Sequence, residues 1–136
     1  MAAQNSKEKQ AVFLVTVGLL SWFIPGGGYY LINEKKRAAI VFVTIVATFC
    51  IGLYAGSIGV VDPLNGLWSW YTAQIMASPL VAIIGHLTIG GGYPVYGRPN
   101  EMGQIYTGIA GLLNLLCIVN CVYMAHLKNT EEADTI

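Results

Sequence analysis

The sequence predicts an all-α fold, a polytopic membrane helical bundle forming one domain over residues 1–136, on three observations. Charged residues are 10% of the chain and apolar residues 55%, against roughly 25% charged in soluble domains, so most of the surface is not meant for water. Four stretches, residues 10–33, 38–61, 63–97 and 102–127, contain no Asp, Glu, Lys or Arg, and about 20 helical residues cross a hydrocarbon core of roughly 30 Å. Backbone groups in lipid have no water to bond, which leaves helices, since the alternation of a barrel is missing.

The first segment, about 11–32, is the least regular. Only about 14 apolar residues, roughly 21 Å of helix, precede Pro25, so the segment either continues kinked through Gly26, Gly27 and Gly28 or turns back as a re-entrant element. No small-x-small cleavage site follows Lys7 and Lys9, so it is expected to be retained. The second segment, about 38–61, carries Thr48, Gly52 and Gly56 at four-residue intervals, a small-residue ridge that lets another helix approach closely. Before the third, Asp62, Pro63, Asn65 and Gly66 are turn residues, and Trp68 and Trp70 are interfacial anchors, which places the helix at about 71–89. The fourth, about 102–126, repeats the small ridge at Thr107 and Gly111. Such ridges serve packing within a chain as readily as assembly between chains.

Charge placement bears on topology. If all four segments cross, Lys35, Lys36, Arg37 and Arg98 oppose Lys7, Lys9 and Lys128; if the first turns back, six basic residues oppose one, which suits the positive-inside rule better. The word GGGY, at residues 26–29 and again at 90–93, argues instead for a two-helix unit used twice, with the first segment crossing. Both versions place the links 33–37 and 93–101 in the cytoplasm and the Trp68 loop outside. Lys35, Lys36 and Arg37 then anchor their link to the anionic leaflet.

Chemistry is sparsely written. His86, beside Gly85, could ligate haem or chlorophyll, although a hydrogen-bonded packing histidine is the plainer reading, and His126 lies too far along its helix to share one macrocycle. Gln74, Asn114 and Asn120 are costly in lipid unless they face protein, and Gln74, His86 and Asn114 are the residues that a transport path would need. No Asp, Glu, Lys or Arg lies within a segment to couple or select an ion. No nucleotide loop follows the glycines, and no Ser/His/Asp set or Cys/His metal cluster is present, so no enzyme is expected. Zero net charge gives no reason to expect nucleic acid as a partner.

The stretch EMGQIYTGIAGLLNLLCIVN, residues 101–120, resembles the carboxyl-terminal signature of a family of small bacterial membrane proteins classed as a domain of unknown function, found notably in planctomycetes. PGGG at 25–28, followed by aromatics and the basic cluster, is similar to the same family and, more loosely, to "TM-two" type membrane domains. Asn120 stands where that family tends to carry Asp, and Asn33 where it tends to carry Gly. The resemblance implies architecture and bacterial origin without an activity. The expected function is a non-catalytic accessory subunit of a bacterial inner-membrane complex, with other membrane subunits and lipids as partners. A pigment carrier using His86 and a small transporter or channel are the alternatives.

Overall fold

The structure, a computed structural model, describes residues 2–64, 68–91 and 97–134. Those residues form six helices and no strand: α1 (Ala2–Phe23), α2 (Gly27–Leu31), α3 (Lys35–Gly56), α4 (Trp68–Ile75), α5 (Leu80–Gly91) and α6 (Arg98–Asp134), with a 3₁₀ turn at Ile58–Val60. By length and composition two helices, α3 and residues 98–131 of α6, can cross a membrane, where four apolar segments, the first kinked or re-entrant, are expected from sequence. The reason is local: prolines cut the first and third apolar segments into hairpins.

In the first, Pro25 ends α1, because the residue before a proline is pushed out of the helical region. Gly26 then takes φ 82, and a Cβ there would stand 2.7 Å from the Ala38 carbonyl oxygen, so the turn needs glycine on both counts. The chain reverses and α2 lies back along α1, where the Gly28 amide donates to Ser21 Oγ at 3.0 Å. Asn33, φ 65, leads into α3 from the left-handed region that asparagine tolerates. The backbone reversal is that of the turning-back alternative and not of a helix kinked through the glycines.

In the third, the expected helix over 71–89 is two. Pro79 has no amide hydrogen and disfavours helix at Ser78, so α4 stops at Ile75 and α5 returns beside it. Gly85 rests on the Tyr71 ring, and Thr88 Oγ1 donates to the Ile58 carbonyl at 3.2 Å.

The long helix α6 is the axis. Antiparallel to it, α3 runs from Arg37, whose Nη1 lies 3.1 Å from Met124 Sδ, to Gly56, which abuts Pro99 and Gly103. Against the C-terminal half of α6 packs α1, with Val17 and Cys121 in one buried cluster. Against its N-terminal half packs α4, with Trp70 on Gly108 and Ala73 on Gly111.

The architecture is therefore hairpin, long helix, hairpin, long helix, with the second pair inverted relative to the first. The two GGGY words do not play the same part in it. The first word builds the α1–α2 turn, whereas Gly90 and Gly91 close α5 and a Cβ on Gly90 would meet nothing within 4 Å. Gly92 and Tyr93 lie outside the described residues. The shared topology changes too. The described part of the 93–101 link sits at the Gly56 end, opposite Lys35, Lys36 and Arg37, because an inserted half-length hairpin returns the chain to the side it left.

Candidate functional site

The C-terminal ends of α1 and α4 meet against the middle of α6. Asn114 lies eleven residues from Gly103, which faces Gly56, and ten from Met124, which faces Arg37, or about 15 Å of helix from either end of the α3 contact. Helix C-termini leave carbonyls without intrahelical donors and carry partial negative charge. Asn114, fully buried, supplies the donors: its Nδ2 donates to Ala77 and Met76 carbonyls at 3.0 Å each and to Ser21 at 3.3 Å. Trp22 Nε1 donates across the junction to Ile75 at 3.1 Å, and Ser78 Oγ to Phe23 at 3.0 Å. Asn114 Oδ1 is buried and has no hydrogen-bond partner among the described residues.

A second polar knot sits seven residues earlier on α6. Gln74, 1% exposed, donates through Nε2 to Thr107 Oγ1 at 2.8 Å and to the Val60 carbonyl at 3.3 Å, and Thr107 passes its hydroxyl hydrogen to Gly103 at 2.8 Å. Between the knots α6 is sealed by Ala110 and Gly111; a Cβ on Gly111 would collide with the Ala73 carbonyl oxygen.

The residues expected to share one path are not brought together. Gln74 and Asn114 are buried in separate knots, and His86 faces outward on α5. Asn120 also faces outward, so its apolar neighbours on α6 gave no clue to its orientation. No group of three His, Cys, Asp or Glu residues that could hold a metal occurs among the described residues. His86→Ala is expected to shift stability by no more than about 0.5 kcal/mol, read as the thermal unfolding midpoint in detergent. Loss of a visible absorbance band in that variant would instead point to a pigment.

Of the ridge residues, Gly52 and Gly56 meet α6 directly. A Cβ on Gly52 would stand 2.7 Å from Thr107 Cγ2 and 2.9 Å from the Thr107 nitrogen. Thr48 is half-buried, its hydroxyl returned to Thr44 at 2.8 Å. On α6, Thr107 and Gly111 are buried but face different neighbours, α3 with α4 and α4 alone. Trp68 is exposed, Trp70 half-buried on Gly108, and Lys35, Lys36 and Arg37 exposed. Sequence reading missed Gly103, which extends the α6 ridge one step in the same four-residue rhythm, and Trp22, Ser78 and the Ser21 carbonyl, whose partners lie far away in the chain.

A family model described as a family of unknown function (DUF6677) matches residues 16–133. No curated protein and no solved structure matches the chain.

Proposed function

The chain belongs to this family of unknown function, and from that premise we propose that it is a multi-pass protein of the bacterial inner membrane, acting as a non-catalytic accessory subunit of a larger complex. The observation that carries the membrane part is the direction of the apolar surface. Only 17% of the most apolar stretch of α3 and 33% of that of α6 is buried within the fold. A core helix of a soluble domain would hide most of such a stretch. Here Ile40, Val43, Ile51, Leu116 and Val119 point outward, an apolar face too continuous for water. Half-depth hairpins are compatible with lipid because carbonyls at their broken ends accept hydrogen bonds from Asn114, Trp22 and Ser78. Lys7, Lys9, Lys35, Lys36, Arg37 and Lys128 gather at one end and Arg98 at the other, a charge split that by the positive-inside rule favours the cytoplasm for the first end.

The subunit role draws support from how the interior polar donors are used: those of Gln74, Thr107 and Asn114 are all spent on acceptors within the chain, and the surface left over is largely apolar. A second reading, a small transporter, is favoured by one feature. Opposed hairpins whose ends meet at mid-depth are where transporters of inverted-repeat design place their sites. Purification in mild detergent separates the two. The subunit reading expects co-migrating membrane proteins; a lone monomer or homodimer, with solute flux in liposomes that Asn114→Ala abolishes, would replace it with the transporter.

Topology has its own test, in a background with Cys50, Cys117 and Cys121 replaced by Ala. Lys9→Cys and Lys36→Cys are expected to be shielded from an impermeant thiol reagent in intact cells, and Arg98→Cys to react. Labelling of position 9 together with 98, against 36, would mean that α1 crosses; equal labelling of all three would sink the two-crossing topology.

A further inference from the structure

The segment IPGGGYYLINEKKR, residues 24–37, builds a groove on the outer face of the fold. Its upper part, about 390 Å³, lies between the turn residues Pro25, Gly26 and Tyr30 and the α3 residues Lys35, Ala39 and Phe42. Through Ile24, Pro25 and Phe42 it continues into a lower part of about 310 Å³ that reaches Ile45, Phe49 and Ile84. The walls are apolar, and Lys35 at the mouth is the one charged lining residue. Its ammonium sits over the Tyr30 ring, 5.8 Å from the centroid. The neighbouring carboxylate does not compete for it, because Glu34 is held by Lys128 at 3.2 Å and by Arg37 at 3.8 Å.

We propose that this groove is a binding site for one anionic phospholipid of the cytoplasmic leaflet, its acyl chain in the groove and its phosphate on Lys35. The proposal rests on the membrane reading above. Depth and charge both fit that occupant. From Lys35 the groove descends ten to fourteen residues along α3, about 15–21 Å, the reach of a single leaflet in a core roughly 30 Å thick. Lys35 with Tyr30 forms a cationic and aromatic mouth at headgroup level, with Lys36 and Arg37 beside it. The turn is suited to lie against an acyl chain. Pro25 presents no amide hydrogen to be left unsatisfied there, and Gly26 lets the turn close on Ala38 without a side chain in the way. An ordinary helix turn would expose polar backbone at the same place.

The test uses the full chain, purified in mild detergent and incubated with equimolar phosphatidylglycerol and phosphatidylethanolamine of identical acyl chains. Native mass spectrometry should find one retained phosphatidylglycerol, preferred about fivefold, the worth of one basic residue at the membrane surface. Lys35→Gln should lower that preference about fivefold. Ala39→Phe, which fills the groove, should abolish retention with helix content unchanged, and Arg98→Gln at the far end should change nothing. Equal retention of the two lipids, no retained lipid, or an unaltered preference in Lys35→Gln overturns the proposal. So does a co-purifying protein, rather than a lipid, that Ala39→Phe releases. Alkaline extraction of membranes keeps the two readings apart: a chain that stays in the membrane without the lipid loses the groove alone, and a chain released into the aqueous phase loses both.

Discussion

Gly52→Leu is expected to part α3 from α6 and to lower stability by about 3 kcal/mol, the upper end of the usual cost of overpacking. The reason is what the new side chain would meet. At Gly52 even a Cβ would stand 2.9 Å from the Thr107 nitrogen and 3.0 Å from the Gly103 carbonyl oxygen, which are backbone atoms that no rotamer change can move aside. Gly56→Leu meets Pro99 and Gly103 in the same way, at 2.9 and 3.0 Å, and should cost a similar amount. Val43, 63% exposed on the same helix, supplies the control, since Val43→Leu adds its methylene to open surface. The thermal unfolding midpoint of the detergent-solubilised chain measures all three. A Gly52→Leu protein that unfolds like the parent but falls out of its complex would mean that the ridge serves a partner instead, and unchanged stability and assembly would make the ridge incidental.

Asn114→Leu is the second large effect, at roughly 2–4 kcal/mol. Leucine keeps the branched shape and heavy-atom count, with bulkier methyl groups in place of the amide, so the change removes the one amide that serves Ser21, Met76 and Ala77 and adds some overpacking. Those carbonyls sit at buried helix ends, and a buried acceptor left without a donor costs about 1–3 kcal/mol. The estimate stays below three such penalties because two hydrogens were shared among three acceptors. Relief of the unpartnered Oδ1 also offsets part of the loss. Hydrogen exchange should locate the damage: amides of α2 and α4 should exchange faster, while those of α3 and α6 near Gly52 and Thr107 remain protected. Uniform acceleration along the chain would show that Asn114 holds the whole fold and not the junction of the hairpins.

Trp22 and Ser78 reinforce that junction from the two hairpins themselves, each donating to a carbonyl at the end of the other. Three side chains thus join elements that approach from opposite ends of α6. Ile75 and Phe23, the accepting residues, are separated from their donors by 53 and 55 positions in sequence. No local pattern around any of them signals the contact.

The sequence by itself determined the helical class, the two long apolar helices, and the break at Pro25. Each of those is a property of a short window: charge-free length decides whether a helix can cross, and Pro25 removes an amide and a helical neighbour wherever it stands. Pro79 carries the same signal, yet the expected helix over 71–89 runs through it. It also marked Gln74 and Asn114 as side chains that need partners, since an amide in apolar surroundings is costly in any fold. Only the tertiary structure decided which broken segments turn back, which end of α6 meets Arg37, and whose carbonyls Asn114 satisfies. A helix of the same composition can cross, bend or reverse at nearly equal local cost, and the choice falls to contacts between residues far apart in the chain, such as Trp22 on the Ile75 carbonyl, Gly111 on Ala73 and Lys128 on the Ile32 carbonyl.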